Sequence, residues 1–373
     1  MPRHAEIAGA GVAGLGLACR LRQLGWTVRV HERAAEVRDG GAAISLGQNG
    51  VDPLRLIGAL DEALVGGCAV DYWNIMDHRR RVLQEDHVRS ELYSIPRSSM
   101  LRSVYQRALE LGAEVVTGSP VRGYDDHALV LENGERLPAD LVVGADGAWS
   151  QMRQSFADHG VRVEVIDLET AGLRANMPRG EGDPTTGMWE WLSGQRRVGL
   201  LPLSDGLTYI YMFAAKDDLV GRRTPIDVES WSQSFPHLRG AFERVPADAT
   251  YRDILEVHCS TWVLDNAVLL GDAAFGMAPN LGQGACTGLQ AGMSLAAAVD
   301  SASDIPAALV AWERSERPHV DYVQKWSGRY SRWCSHTPTW ATPVRSLVFT
   351  TWGRSKRLQR RFAGVEARGT AVA

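Results

Sequence analysis

The chain has 373 residues and a formal net charge of −4 at pH 7, with 45% hydrophobic and 23% charged residues. These values are typical of a globular protein with a large core, and they give no reason to expect a nucleic-acid partner. No apolar run approaches the roughly 20 residues that span a bilayer, and no signal peptide is evident, so the sequence predicts a cytoplasmic protein without a membrane partner.

Cysteine and histidine spacing argues against a disulfide framework and against a metal site. The five cysteines are widely spaced and form no CxxC pair, and no HExxH motif occurs. An odd number of scattered cysteines favours a reducing compartment. The sequence therefore predicts no metal ion, and the difficult chemistry falls to an organic cofactor.

The first thirty-odd residues predict a βαβ unit that binds a dinucleotide. An apolar strand over 5–8 precedes a GxGxxG turn, and a helical pattern then runs to Gly25, where a second strand begins. The three glycines, Gly9, Gly11 and Gly14, allow a tight turn, close approach of a pyrophosphate and close helix–strand packing. Glu32 closes the second strand, where a carboxylate can bind a ribose diol. The alternative is a glycine-rich turn in an ordinary α/β domain.

The chain between this unit and residue 160 predicts alternating helices and strands. A glycine-rich loop over 37–50 is typical of backbone that lies close to a ligand, and Ser98 or Ser99 is a plausible N-cap. The predicted elements are a helix over 51–64, a hairpin over 70–76 and 82–87, a helix over 98–111, and strands over 114–117, 128–131 and 141–143.

From residue 161 to about 257 the pattern changes to short alternating strands, which predict an antiparallel sheet with a flanking helix. The predicted strands are 171–177, 187–192, 197–202 and 207–214, and the predicted helix is 228–235. A buried strand over 268–270 then runs into a loop that contains Pro279 and Gly282 and feeds a helix from Gly284. Amides at such a helix start can donate to a ring carbonyl or a developing anion. Helical patterns continue over 306–330.

Three separated motifs in this order resemble the class A FAD-dependent aromatic monooxygenases, which have the p-hydroxybenzoate hydroxylase fold. The motifs are GAGVAG from Gly9, GADGAWSQMR from Gly144 and GDAAFGMAPNLGQGA from Gly271. The resemblance implies an α/β fold with a Rossmann-like FAD-binding domain, an inserted antiparallel-sheet substrate domain and C-terminal helices. The expected bounds are 1–69, 96–160 and 259–300 for the FAD-binding domain, 70–95 and 161–258 for the substrate domain, and 301–373 for the helical segment.

The resemblance also implies which residues bind FAD. The first three glycines would hold the pyrophosphate, Glu32 the adenosine ribose, Arg97 the flavin half, and Asp272 the ribityl-pyrophosphate part. Asp146 and Gly147 would serve both FAD and the nicotinamide cosubstrate. The full predicted set is Gly9, Gly11, Gly14, Glu32, Arg33, Arg38, Arg97, Asp146, Gly147, Asp272, Pro279, Gly282, Gly284 and Ala285.

Within the family, segments such as LGWTVRVHER and ALVAWERSERP are similar to oxygenases of a carboxylated hydroxypyridine. That resemblance implies that Tyr72, Arg197 and Tyr209 position the substrate. Each has an alternative: Tyr72 as a packing residue, Arg197 as the partner of a protein carboxylate, and Tyr211 in place of Tyr209 on the same face. One departure from the family is Phe275, where a histidine usually follows GDAA, and this residue removes a polar group near the flavin.

The resemblance implies an NAD(P)H- and O2-dependent monooxygenase that acts through a flavin C4a-hydroperoxide. Its substrate would be a hydroxylated aromatic or pyridine ring, expected to carry a carboxylate, and hydroxylation could be followed by ring opening. Two alternatives remain, a flavin-dependent halogenase and a non-oxygenase FAD reductase. The segment 189–191 resembles a halogenase signature incompletely, but the lysine that halogenases place after the first motif is missing, since Lys216 is the first lysine. A monomer or homodimer is expected.

Overall fold

Two large sheets organise the fold of this protein, whose computed structural model describes residues 2–38, 41–88, 90–204 and 206–354. The strands in chain order are β1 His4–Ala8, β2 Thr27–Glu32, β3 Ala43–Gly47, β4 Cys68–Ala69, β5 Tyr72–Asp77, β6 Val82–His87, β7 Leu92–Pro96, β8 Glu114–Thr117, β9 Val121–Asp125, β10 Ala128–Leu131, β11 Arg136–Pro138, β12 Leu141–Gly144, β13 Val163–Pro178, β14 Gly187–Ser193, β15 Arg196–Pro202, β16 Leu207–Ala215, β17 Tyr251–Cys259, β18 Val263–Leu264 and β19 Ala267–Leu269. The α-helices are α1 Val12–Gln23, α2 Gln48–Ile57, α3 Leu60–Ala63, α4 Arg97–Glu110, α5 Gln151–Asp158, α6 Val228–Ser234, α7 Arg239–Phe242, α8 Asp272–Phe275, α9 Gly284–Asp300, α10 Ile305–Ser335 and α11 Thr342–Arg354.

The first sheet is six-stranded and mostly parallel, in the order β18-β19-β12-β1-β2-β8. Its central strand β1 pairs in parallel with both β2 and β12, and β12 pairs in parallel with β19. The βαβ prediction is therefore confirmed. Helix α1 ends before Gly25, whose φ of +88° requires a residue without a Cβ. Because β1, β12 and β19 run in the same direction, the segments that follow them meet at one edge of the sheet.

Glycines set the closest contacts at this edge. Gly9 has φ +102°, and a Cβ there would lie 2.4 Å from the carbonyl oxygen of Ala145. A Cβ on Gly14 would lie 2.3 Å from the carbonyl oxygen of Gly9. Helix α9 also packs along α1 through a glycine, since a Cβ on Gly288 would lie 3.4 Å from the Cβ of Ala13. Because these glycines lack side chains, the first, second and third motifs can pack against one another.

The second sheet is seven-stranded, in the order β17-β13-β16-β15-β14-β5-β6, and is antiparallel except for the β14–β5 pair. All four strands predicted between 171 and 214 belong to it, together with the predicted hairpin. Its two faces differ. On one face, residues such as Leu173 and Met212 pack against Trp231 and Phe242 of α6 and α7. We call the other, which carries Tyr209, Tyr211 and Phe213, the cleft face.

The cleft face turns toward the loops of the first sheet. Tyr209, Tyr211 and Phe213 pack in one cluster with Ala43 at the start of β3 and Ala278 after α8. The Nδ2 of Asn176 on β13 also donates to the carbonyl oxygen of Ala42 at 3.1 Å. The cleft between the two sheets is therefore bordered by the motif loops on one side and by aromatic side chains on the other.

Two sequence predictions about helix bounds are wrong. The helix predicted over 51–64 is divided into α2 and α3 by Gly58, which has φ +77°. Helix α4 begins at Arg97, with Pro96 and not Ser98 or Ser99 at the N-cap position. The fixed φ of Pro96, −59°, leads the chain directly from β7 into the helix, so both serines fall inside the first turn.

The C-terminal region is helical, as predicted, and covers one end of the cleft. Helix α10 runs from Ile305 to Ser335, and α11 follows with Phe349 packed on Tyr330 at a ring-centroid distance of 5.6 Å. The rest of the predicted C-terminal segment, 355–373, lies outside the described residues. Among the described helices, none combines the length and the apolar composition that a bilayer crossing needs.

The glycine contacts at the sheet edge give a stability prediction. Gly14→Ala places a methyl group against the Gly9 carbonyl oxygen, and we expect it to lower the free energy of unfolding by about 1–3 kcal/mol, more than offsetting the helix-propensity gain of about 1 kcal/mol. Gly11→Ala is the matched control, because a Cβ at Gly11 has no neighbour within 4 Å, and we expect a change below about 1 kcal/mol. Urea unfolding of the flavin-free protein measures both; equal midpoints would contradict the prediction.

Candidate cofactor and substrate site

The three motifs form one continuous surface at the carboxyl edge of the parallel sheet. They follow β1, β12 and β19 directly, and ligands of open α/β sheets bind at this edge. Arg153, which is buried, joins the second motif to the third by donating to the carbonyl oxygen of Ala148 at 2.6 Å and of Ala273 at 3.1 Å. Residues far apart in the sequence are therefore fixed relative to one another.

Two helices present uncapped N-termini at this surface. Neither Gly11 at the start of α1 nor Gln283 at the start of α9 makes a side-chain capping hydrogen bond. The Gln283 side chain instead accepts a hydrogen bond from Asn49 Nδ2 at 2.7 Å. The first amides of each helix, which include those of Gly284 and Ala285, lack intrahelical partners and can donate to a phosphate or a ring carbonyl. Space around Gly11 allows a ligand to approach the backbone.

Two of the predicted carboxylates are held by backbone amides. Glu32 is half-buried and accepts hydrogen bonds from the amides of Ala10 at 3.1 Å and Ala34 at 2.9 Å. Asp146 accepts from the amides of Gln151 at 2.7 Å and Met152 at 3.1 Å and so holds the start of α5. Glu32 borders the glycine turn, as the ribose prediction requires. The predicted nicotinamide contact of Asp146 and Gly147 stays a prediction.

Asp272 lies in the cleft without a partner of its own. Its side chain is exposed to solvent, and its carboxylate makes no hydrogen bond or ion pair within the described ranges. Surrounding protein atoms raise the pKa of Asp272, and the positive charges of Arg97, Arg174 and Arg153 oppose that rise. A carboxylate that is reached by solvent yet surrounded by protein atoms is typical of a cleft. The Asp272 carboxylate can accept a hydrogen bond from a ligand hydroxyl. Arg97, the first residue of α4, is exposed beside the same cleft.

The loop after α8 is held from behind through its carbonyl groups. Gln324 Nε2 donates to the carbonyl oxygen of Gly276 at 3.0 Å, Ser327 Oγ to that of Ala278 at 2.8 Å, and Arg197 Nη2 to that of Asn280 at 3.3 Å. These donors lie on α10 and β15. The loop, which includes Pro279 and Gly282, is thereby fixed between the two sheets.

Arg197 has a carboxylate partner within the protein. Its Nη2 lies 2.6 Å from Glu190 Oε2, and the two side chains are 3% and 0% exposed. Glu190 also accepts hydrogen bonds from the hydroxyls of Tyr211 and Tyr330. The buried pair of Arg197 and Glu190 is neutral overall, so it adds no net positive charge to this site. Burial and the carboxylate of Glu190 keep Tyr211 and Tyr330 protonated, since both raise the pKa of the phenols well above the usual value.

The three predicted substrate residues are not all on one face. Tyr209 lies on the cleft face beside Tyr211, at a ring-centroid distance of 6.0 Å. Tyr72 pairs with Gly187, and strand alternation places it on the opposite face, with Trp73 on the cleft face instead. Trp73 packs in the same cluster as Tyr209. The predicted substrate contacts of Tyr72, Arg197 and Tyr209 stay predictions, and Trp73 is a candidate that the sequence reasoning missed.

Other predicted residues lie on the surface or in the core. Arg33 and Arg38 are exposed, and Arg38 Nε pairs with Glu36 Oε1 at 2.6 Å. Phe275 is buried against Trp262 at a ring-centroid distance of 5.0 Å, so the residue that replaces the usual histidine serves as core packing. Trp191 also packs in the core, on the face away from the cleft.

Sequence reasoning missed Glu190, Arg153 and Arg174. Arg153 is the last residue of the second motif, which was a signal for its importance. The side chains that Glu190 and Arg174 face depend on the register of the strands in the second sheet. That register cannot be read from the sequence of one strand alone.

Comparison with known proteins agrees with this geometry. The family model described as the FAD binding domain matches residues 4–304. The chain is 31% identical over 360 residues to a putative 2-heptyl-3-hydroxy-4(1H)-quinolone synthase, AqdB1, of Rhodococcus erythropolis, covering 94% of this chain and 93% of the relative. It is 32% identical over 338 residues to the 2-heptyl-3-hydroxy-4(1H)-quinolone synthase of Mycobacteroides abscessus, with 87% and 89% covered.

A solved structure, the tetrameric form of 2-methyl-3-hydroxypyridine-5-carboxylic acid oxygenase, superposes with a TM-score of 0.84 at 30% identity, covering 96% of this chain and 98% of the other. The α/β fold, the FAD cofactor and the family resemblance inferred from the three motifs are thereby confirmed. The chain belongs to the FAD binding domain family and is an FAD-dependent monooxygenase of the class A aromatic hydroxylase type.

Proposed function

We propose that this protein hydroxylates an aromatic nitrogen heterocycle that carries a hydroxyl or oxo group, using NADH or NADPH and O2. The observation that carries the proposal is the packing of an aromatic sheet face against the motif loops. The aromatic wall, Tyr209, Tyr211 and Phe213, packs in one cluster with Ala43 and Ala278 from the cofactor-side loops. A flat ring placed against this wall lies next to the loop that precedes α9, which is where the cofactor's reactive end belongs.

The names of the relatives narrow the substrate class. The quinolone synthases and the hydroxypyridine carboxylic acid oxygenase all have names that contain a six-membered nitrogen ring with an oxygen substituent. A ring of this kind is electron-rich and flat, which suits the aromatic wall. Ring opening after hydroxylation is a further possible outcome, and the product mass distinguishes it from hydroxylation alone.

The cofactor roles follow from the uncapped helices and the cleft carboxylate. We assign the pyrophosphate to Gly9, Gly11 and Gly14 at α1, the ribose to Glu32, and the ribityl chain to Asp272. The amides of Gly284 and Ala285 would donate to the ring carbonyl of the flavin. When bound, FAD supplies the hydride acceptance and oxygen activation that these side chains cannot provide.

The protein's own part is positioning and exclusion of water. The carbonyl contacts of Gln324, Ser327 and Arg197 fix the loop beside the cofactor, and the aromatic wall keeps the cleft face apolar. Tyr209 would border the ring directly. In the overall reaction one oxygen atom of O2 enters the ring and the other leaves as water, with two electrons taken from NAD(P)H.

We also propose the division of the chain into an FAD-binding part, 1–69, 96–160 and 259–300, and a substrate part, 70–95 and 161–258. The strand membership of the two large sheets supports it. Asp146 and Gly147 remain the proposed contact for the nicotinamide cosubstrate. A monomer or homodimer remains our expectation, although the solved relative has a tetrameric form.

The halogenase alternative loses its sequence support. In segment 189–191 the two tryptophans pack on the face away from the cleft, and Glu190 is the buried partner of Arg197. Packing and an ion pair therefore account for all three residues.

The central prediction concerns oxygen consumption. Hydroxypyridines and 4-quinolones should accelerate NAD(P)H oxidation with matching O2 uptake, and the product should gain one oxygen atom. A gain of two oxygen atoms with loss of aromatic absorbance indicates ring cleavage. A halide-dependent product mass would favour the halogenase, and NAD(P)H oxidation that no aromatic compound stimulates would favour the reductase.

The buried ion pair gives a second prediction. Arg197→Met leaves Glu190 charged, buried and unpaired, and we expect it to lower the free energy of unfolding by about 3–5 kcal/mol. The double variant Arg197→Met/Glu190→Gln removes both charges and should recover much of that loss. Urea unfolding measures the recovery, and a double variant no more stable than Arg197→Met would contradict the ion pair.

The same double variant tests the predicted substrate contact of Arg197. If Arg197 binds a substrate carboxylate, the KM of the double variant should be at least about tenfold higher than that of the wild type, because a charge-assisted hydrogen bond to the substrate is lost. An unchanged KM would restrict Arg197 to holding the loop and the sheet together.

A further inference from the structure

The cleft face carries two arginines in opposite electrostatic situations. Arg197 on β15 is 3% exposed and is neutralised by Glu190 at 2.6 Å. Arg174 lies two strands away on β13, is only half-buried, and has no carboxylate partner within the described ranges. Its guanidinium lies over the ring of Phe213, whose centroid is 5.6 Å from the guanidinium carbon.

Strand register fixes the direction of Arg174. It pairs directly with Tyr211, so both side chains leave the sheet on the cleft face, whereas its neighbours Leu173 and Ala175 pack in the core on the other face. The adjoining cleft-face position is Gly172, and the Phe213 ring occupies the space that a side chain would need there. Arg174 therefore lies over an aromatic ring at the wall of the cleft.

The charges around Arg174 leave positive charge unbalanced. Burial lowers its pKa most. The Tyr209 phenol opposes that shift, and the nearby charges of Arg97, Arg197 and Arg252 add to it. The acid on the cofactor side is Asp272; the surrounding protein atoms raise its pKa, and the charges of Arg97 and Arg174 oppose that rise. A half-enclosed guanidinium without a counter-charge favours an anion in the cleft, and the planar group can bind a carboxylate with two hydrogen bonds.

The structure favours the substrate over the cofactor as the source of that anion. The phosphates of FAD have the uncapped N-terminus of α1 on the opposite wall, beside Gly11. Arg174 instead belongs to the sheet that carries Tyr209 and Tyr211.

We propose that Arg174 binds an anionic oxygen substituent of the aromatic substrate, either a carboxylate or an ionised ring hydroxyl, and so determines substrate specificity. This inference rests on the proposed function. In it Arg174 selects charged rings, while the neutralised Arg197 supports the loop beside Asn280.

The test is a binding titration of the holoenzyme, followed by the change in flavin absorbance. The probes are 5-hydroxynicotinate, its neutral carboxamide, 3-hydroxypyridine and 3-methoxypyridine. We expect Arg174→Gln to weaken 5-hydroxynicotinate by about 10- to 100-fold, the range for loss of a charge-assisted hydrogen bond, and Arg174→Lys to restore part of the affinity. Because the Arg174 side chain makes no hydrogen bond within the described ranges, the variants should fold and retain FAD.

The probes separate the two anion sources. If Arg174→Gln lowers the affinity for the carboxylate probe alone, the group bound is a carboxylate. If it lowers the affinity for all the hydroxyl probes but not for 3-methoxypyridine, the group bound is the ionised hydroxyl. Arg252→Gln is the matched control, because it removes the same charge from an exposed position on the neighbouring edge strand, and it should change each Kd less than about threefold.

Three results would overturn the proposal. Arg174→Gln could leave the Kd of every probe unchanged, or could raise all Kd values equally, that of 3-methoxypyridine included. It could also lose part of its FAD while the remaining holoenzyme binds every probe as the wild type does. The oxygen-uptake screen tests the proposed function separately. If the wild-type enzyme hydroxylates rings but Arg174→Gln binds all probes normally, the role of Arg174 is refuted and the proposed function is not. A wild-type enzyme that binds no probe and hydroxylates no ring refutes both the inference and the proposed function.

Discussion

The site depends on one steric constraint, the direct backbone contact between the first two motifs. With a Cβ on Gly9 the chain would collide with Ala145, and with a Cβ on Gly14 it would collide with Gly9 itself. Because these contacts allow no side chains, the ends of β1 and β12 come together and the uncapped start of α1 faces the cleft. Arg153 then fixes the third motif to the second by two hydrogen bonds to carbonyl groups. The surface proposed to hold FAD is thus assembled mainly from backbone.

The second sheet is built differently, because side chains and not backbone form its proposed substrate surface. Its core face is packed with Leu, Met and Trp side chains, while the cleft face combines aromatic rings with buried charge. Glu190 neutralises Arg197 and binds two tyrosine hydroxyls, and Arg197 reaches the carbonyl of Asn280 in the cofactor-side loop. A buried pair of this kind adds little net stability, but it specifies how the sheet meets the loop.

The sequence allowed the cofactor half to be predicted far better than the substrate half. The glycine spacing, the strand–helix–strand pattern and Glu32 are local signals, and each motif keeps its meaning without knowledge of the rest of the chain. By contrast, whether Arg197 faces a substrate or Glu190 depends on how β14, β15 and β16 are aligned. The face that Tyr72 occupies depends on its pairing with Gly187, and a shift of one residue would exchange it with Trp73. The start of α4 was misplaced for a related reason, because Pro96 and the preceding strand outweigh the capping preference of the serines.

The close packing of α9 along α1 has a consequence for what can change in this protein. A Cβ on Gly288 would contact Ala13, and one on Gly292 would contact the Leu17 Cβ at 3.5 Å, so the two helices meet through small residues and backbone. Such a contact has few rotamers to rearrange, and the spacing between the two helix N-termini is therefore rigid. If the cleft face binds the substrate ring as proposed, substitutions there change the ring-binding surface without changing the separation of the two helix N-termini. The contact between α1 and α9 therefore sets the geometry of the proposed cofactor surface independently of the side chains on the cleft face.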